Sequence, residues 1–492
     1  MEHYKLNRRR FIQNSAVALA LPSFPLRSLA VTTLRVRPEW QNFKITPQYD
    51  SLLRAIRLMR ANTNANDPNS WTYWANAHLN RCPHGVAYFE AWHRGYLYYF
   101  ERQLRSVSGD PNLVLPYWDY YTYSTIPAEF TNSSSTNPLY ADRLNVNVRQ
   151  ALTLAPFSPT ITNFPRYTSN AFEPAFENAP HNPVHDIIGK VMSTMQSPLD
   201  PIFWLHHANV DRLWVAWVAA GGGRKMPSIT SSYWSGNHIY TNTLSMARRS
   251  TYDTRTTLLY RYQNELMPTS IPLAQAASAK LFMAQATQPQ FAKVFKVQAM
   301  PSNFLPPMPP VGSYKLSSPR ATTDKAFSVG GALGLALDRR STAIELPLSS
   351  ESWQAVQAIM GRKPATIANS GKSFRSLHVV LDNVELSEIG KNGGYYYQIF
   401  LNFASPDGRS STQPALIGTL GAFQINGAAH HGQGPIRLDY LIDPGSVQSS
   451  PLRGGVVSIS LVRVDGDNSP SGQAIGIGEA RLELSTDDDQ GP

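Results

Sequence analysis

The chain has 492 residues, 42% of them apolar, with 10 Trp and 23 Tyr, enough for two or three domains with large cores and aromatic-lined pockets. Its net charge is +10, but the Lys and Arg residues are scattered, and part of the excess falls in the first thirty residues, which argues against a nucleic-acid partner. A single cysteine, Cys82, excludes an intramolecular disulfide and every zinc or iron–sulfur site built from several thiolates, so nitrogen or oxygen must hold any metal.

The N-terminus, NRRRFIQNSAVALALP, sets Arg8 and Arg9 before Phe11 and an apolar run to Leu21, the pattern of twin-arginine export. Ser28-Leu29-Ala30 offers a small-x-small cleavage site, so residues 1–30 are expected to be a signal segment. The run is too short to span a bilayer, so no stable membrane anchor is expected, and the destination is the periplasm or the outside. This route carries proteins already folded, often around a cofactor, which is a first hint of a metal.

From residue 31 to about 300 the patterning is helical. PQYDSLLRAIRLMRA (47–61) gathers Leu52, Leu53, Ile56 and Met59 on one face. AWHRGYLYYFERQLRSV (91–107) is a second helix, and DPIFWLHHANVDRLWVAWVAA (200–220) a third, stopped by glycines at 221–223. The stretch 301–312, PSNFLPPMPPVG, with five prolines, reads as a linker. Beyond it, LHVVLDNVEL (377–386), YYYQIFLNF (395–403), PIRLDYLI (435–442), GVVSISLVRV (455–464) and ARLELS (480–485) predict an all-β sandwich or barrel-like domain over 313–492.

The twelve histidines are unevenly spread: His78, His84 and His93 fall within sixteen residues, and His181, His185, His206 and His207 within twenty-seven. His181 and His185 are four apart, so on a helix their rings share a face and can chelate one ion, with Pro180 and Pro183 in the first turn. His207 opens a further helix, with Asp211 and Arg212 one turn on. His84 and His93, nine apart, would point to opposite faces of one helix, so they converge only if His84 lies in the loop before the helix of His93. Three neutral imidazoles leave coordination positions open, as catalysis requires, and suit copper, zinc or iron.

HGVAYFEAWHRGYLYYFE resembles the first copper motif of the tyrosinase and polyphenol oxidase family, and PHNPVHDIIG with DPIFWLHHANVDRLW resembles the second. The likeness covers roughly residues 35–300. It implies a four-helix bundle holding two coppers, one on His78, His84 and His93, the other on His181, His185 and His207, with His206 a neighbour. Only five residues separate His78 from His84, fewer than in many members, and Glu90 stands where the family usually has an apolar residue.

The resemblance implies oxidation of phenolic small molecules by O2: o-hydroxylation of monophenols and conversion of o-diphenols to o-quinones. It points to Glu177 as a base holding a water that Asn182 orients, with Glu173 as runner-up. Asp186 and Thr194 fall at positions of the substrate pocket, Thr194 where plant members carry a phenylalanine lid. Asp211 and Arg212 are expected to form a buried structural pair or to orient a ligand. Trp92, Trp204 and Trp214 are expected in the bundle core.

YYYQIFLNF, GAFQINGAAHHG and RLDYLI are similar to the β-domain that covers the copper pocket in latent plant enzymes, with proteolysis at 301–312 as the activating step and His430 and His431 as a loop pair. In fungal members and molluscan haemocyanins, a cysteine two residues before the second ligand forms a thioether to its ring; Cys82-Pro83-His84 has that spacing, a buried free thiol being the alternative. Competing readings are a catechol or o-aminophenol oxidase only, a haemocyanin-like oxygen carrier, and a di-zinc hydrolase.

Overall fold

A computed structural model describes residues 34–272, 309–368, 370–404, 414–431, 434–445 and 455–487. The expected signal segment and the first eight residues of the Pro-rich stretch lie outside these, as does the boundary between the two expected domains. No helix among the described residues is long and apolar enough to cross a membrane.

The N-terminal part contains helices α1 (Trp40–Phe43), α2 (Gln48–Ala61), α3 (Trp71–Arg81), α4 (Phe89–Ser108), α5 (Ala128–Thr131), α6 (Phe172–Phe176), α7 (Asn182–Ile188) and α8 (Ile202–Ala219), joined by long irregular segments. α8 buries Phe203, Trp204, Leu213, Trp214 and Trp217 around its whole circumference, the pattern of a central helix. Asp200 stands before it, accepting the Ile202 N–H at 2.9 Å and a two-pronged bond from Arg143. α4 packs between α2 and α8, and Trp92, Trp204 and Trp214 are core residues.

The C-terminal part is a sandwich of two antiparallel sheets. One has the order Leu438–Leu441, Ser376–Leu386, Ile475–Ser485, Ala326–Leu337, Lys315–Ser317, with Arg320–Thr323 also on Ala326–Leu337. The other has the order Ala415–Gly421, Tyr395–Ala404, Val456–Asp465, Thr342–Pro347. Val379, Leu381, Leu482 and Leu484 of the first share a core with Ile399, Leu401, Ile459 and Leu461 of the second. Two helices complete it: α9 (Ser350–Met360), and α10 (Ala422–His431), whose last turn takes in the His430–His431 pair expected in a loop.

The sandwich rests on the helical part through polar contacts to backbone. Thr419 Oγ1 donates to Asn178 O at 2.8 Å, Asn426 Nδ2 to Ser193 O at 2.7 Å and Tyr396 Oη to Gln150 O at 2.8 Å. Tyr396 and Phe423 belong to the hydrophobic core of the helical part, not to that of their own sandwich.

Candidate metal centre

Six histidines from five places, four helices and one loop, meet inside the bundle. α3 carries His78 on the buried face it shares with Trp71, Trp74 and Ala75. Pro83 ends that helix by pushing Cys82 into an extended conformation, and Gly85 turns the chain at φ +72°. His84 therefore lies in the loop 82–88, as its spacing from His93 requires, and His93 sits in the second turn of α4. His181 stands at the N-cap of α7 and His185 one turn on. The expected single helix is broken before it: Ala179 is extended, Pro180 precedes the break's end, and only Pro183 lies in the first turn. α8 starts at Ile202, so His207 lies within it rather than opening it.

The rings form two triangles of matched size. Centroids of His78, His84 and His93 are 5.2, 5.5 and 5.3 Å apart pairwise. Those of His181, His185 and His207 are 4.7, 5.0 and 5.6 Å apart. Nitrogens about 2 Å from a shared metal would put three centroids roughly 5 Å apart. The triangles face each other through His93 and His207, stacked at 4.3 Å and 17°.

Hydrogen bonding fixes the tautomers of four of the six rings. His78 Nδ1 donates to Met195 O, His93 Nδ1 to Phe89 O and His185 Nδ1 to Met192 O, each at 2.8 Å, and His181 Nδ1 donates to Asn182 Oδ1 at 2.8 Å. A carbonyl only accepts, so Nδ1 carries the proton and Nε2 presents a bare lone pair. Nε2 of His181 and of His185 each stand 3.4 Å from His207 Nε2, and His93 Nε2 is buried without a hydrogen-bond partner. Burial and the neighbouring imidazoles hold His93, His181 and His207 far below the usual histidine range, and burial takes His185 to about 3. Charging these rings is therefore strongly disfavoured in this dry interior, where their Nε2 atoms converge. A bound cation relieves that convergence, so the donor set fits two metal ions on neutral imidazoles.

His206 is stacked on His181 at 5.3 Å and groups with the second triad, both its nitrogens buried without partners. Phe203 packs beneath, 4.2 Å from His207 and 5.1 Å from His78. Cys82 is buried, with Sγ 3.1 Å from His84 Nδ1, and burial pushes its thiol pKa up.

The other expected site residues are more occupied than sequence suggested. Glu177 is 2% exposed and has both oxygens engaged, Oε1 by the Gly85 N–H at 2.7 Å and Oε2 by Arg166. Asn182 Oδ1 accepts from His181 Nδ1. Asp186 is wholly buried; Oδ1 accepts the Phe423 N–H at 2.8 Å at the start of α10. Burial raises the Asp186 pKa to about 8, against the pull of the Phe423 and Ala422 N–H groups. The half-buried Thr194 closes its own turn, Oγ1 donating to Val191 O. Asp211 and Arg212 do not pair with each other: Asp211 takes Arg94 and the hydroxyls of Tyr260 and Tyr262, while Arg212 takes Asp119 and Asn209. His430 is exposed at the last turn of α10.

Sequence reasoning missed Phe423. Its ring lies flat on His185 at 4.0 Å and 15°, and stands 5.1 Å from His84 and 5.7 Å from His181. The only signal was an aromatic in AFQIN, a stretch read as part of a covering domain without a residue assigned to the cover.

A helical bundle that brings two histidine triads face to face, five of the six rings buried and His84 half-buried, fits a binuclear metalloprotein. Residues 54–151 and 125–220 match the common central domain of tyrosinase, so this part of the chain is a tyrosinase domain. Its cofactor is a pair of copper ions. The chain is 33% identical to tyrosinase HcTyr1 of Hahella sp. (strain CCB-MM4) over 34% of this chain and 50% of that protein. It is 30% identical to chloroplastic polyphenol oxidase A1 of Vicia faba, over 44% of this chain and 45% of that one. The matches thus span about half the length of these relatives. Among solved structures, latent apple tyrosinase superimposes over 92% of this chain and 97% of its own, with 18% identity and a TM-score of 0.49.

Proposed function

We propose that this chain is an exported phenol oxidase that converts o-diphenols to o-quinones and hydroxylates monophenols ortho to their OH, using O2. The observation that carries this reading is the pair of matched histidine triangles joined by the His93–His207 stack. His78, His84 and His93 would hold one copper, and His181, His185 and His207 the other. The bound pair supplies two-electron chemistry with O2. Each diphenol gives up two electrons and two protons, so the protein must orient the ring, take protons and exclude bulk water.

The carbonyls of Phe89, Met192 and Met195 and the amide of Asn182 fix ring orientation before any substrate arrives. Glu177 is the candidate acceptor for the phenol's proton. Burial raises its pKa, opposed by Arg166 and the Gly85 N–H, so accepting a proton requires the Arg166 ion pair to loosen. Asp186 and Thr194 belong to the pocket wall that the C-terminal part covers.

The cover is Phe423, which supports a latent form opened by cleavage between the two parts or by displacement of α10. The close approach of Cys82 Sγ to His84 supports a thioether: a C–S bond forms at the ring, the thiol and ring hydrogens leave, and O2 accepts the two electrons. Oxygen consumption by the copper-loaded chain with a monophenol, an o-diphenol and an o-aminophenol, before and after limited proteolysis, tests the assignment. Consumption with the diphenol alone narrows it to a catechol oxidase, with the aminophenol alone to an o-aminophenol oxidase, and with none after proteolysis rejects it.

A further inference from the structure

His84 is the one histidine of the six that no helix positions, since it sits in the loop 82–88. Carboxylates from another part of the chain hold that loop at both ends. The Gly85 N–H donates to Glu177 Oε1 at 2.7 Å, and the Phe89 N–H, first of α4, to Glu173 Oε1 at 2.8 Å. Glu173 and Glu177 are buried and four residues apart, on successive turns. Arg166 joins them: its backbone N–H donates to Glu173 Oε2 at 2.9 Å, and its guanidinium bonds Glu177 Oε2.

The need for this is local. α4 has no side-chain cap of its own, because its N-cap is Tyr88 in the left-handed region at φ 75°. Without Glu173 the first N–H of α4 would be bare in a dry interior. An apolar pair at 173 and 177 would fill the same volume but leave both N–H groups unsatisfied. The same segment runs on into His181, four residues after Glu177, so the contact also ties the first triad to the second.

We propose that Glu173, acting with Arg166 and Glu177 as a clamp on the His84 loop, is a positioning residue that selectively secures the first copper. This rests on the assignment of the two triads to copper. Glu173 touches no ligand ring and acts only through the Phe89 N–H and Arg166.

The test is copper release from the full-length, copper-loaded chain to a chelator, followed as two separate equivalents, in wild type, Glu173→Ala and Glu173→Gln. Glu173→Ala is expected to release one equivalent about tenfold faster or more, the usual scale for partners that orient ligands, and the other at the wild-type rate. Glu173→Gln, which keeps one acceptor oxygen, is expected to fall between. Wild-type release in both variants, or equal acceleration of both equivalents, overturns the proposal, since the second result describes general loosening. If Glu173→Ala does not fold, hydrogen exchange in Glu173→Gln decides: faster exchange of the peptide spanning 82–90 with 96–108 unchanged supports the clamp, and unchanged exchange at 82–90 overturns it. A wild-type chain that takes up no copper would instead reject the metal assignment itself.

Discussion

Phe423 lies face to face on His185, with centroids 4.0 Å apart and planes 15° from parallel, so the C-terminal part covers a ligand of the second triad with an aromatic ring. The same helix start that presents this ring is held by Asp186, the residue after His185, through the Phe423 N–H. The cover and the ligand segment are therefore fastened at one place, and loss of the ring should leave the fastening intact.

Phe423→Ala should raise kcat/KM for an o-diphenol in the uncleaved chain without changing copper content, because it opens the face of His185 while keeping the backbone bond to Asp186. It should also cost stability, on the order of 3 kcal/mol, because the ring is 1% exposed and leaves a cavity between the two parts. Oxygen uptake and thermal unfolding on the same sample check both; unchanged kcat/KM would mean that Phe423 is not the cover.

Cys82 and His84 should be linked in copper-loaded protein that has met O2. The measurement is the mass of a proteolytic peptide holding both residues, expected to be lower by two hydrogens than its sequence requires. Ready alkylation of Cys82 in the denatured, copper-loaded protein would show a free thiol instead.

Glu90 gives a pH prediction. Its carboxyl is buried with no hydrogen-bond partner on either oxygen, and burial, then the charges of Glu173 and Glu177, push its pKa well above 4.5, Arg166 offsetting part. The folded chain thus keeps a proton that the unfolded chain loses above 4.5, and stability falls as pH rises from there through the folded pKa. Glu90→Gln cannot titrate, so it should raise the unfolding temperature relative to wild type at pH 8 and have little effect at pH 4. Equal shifts at both values would contradict the buried-acid account.

The parts of this protein that sequence made legible are those where periodicity or spacing carries the geometry. α2 and α4 run within two residues of their expected limits, because their apolar faces repeat at helical spacing. The loop position of His84 followed from the nine-residue gap to His93. The break at Ala179 has a local sign in Pro180, which disfavours helical backbone in the residue before it, but the four-residue spacing of His181 and His185 does not show it. α10 was missed because AFQINGAAHH is short, contains Gly427 and has a weak apolar face. Its helical form depends on Asp186, more than two hundred residues away, at its N-terminus. The partners of Glu177, Asn182 and Asp211 were not legible either: Glu177 meets the Gly85 N–H and Asp211 meets Arg94, both far away in the sequence, while the Asn182 oxygen meets the adjacent His181, and a lone carboxylate or amide does not announce which N–H it will meet.

The central claim is that the two histidine triads each hold one copper. The most direct measurement is metal content of the full-length chain after copper loading, in wild type and in His93→Ala and His185→Ala, with a folding check on each. The account expects two coppers per chain in wild type and one in each folded variant. Two coppers retained in either variant, or one or none in wild type, would contradict it.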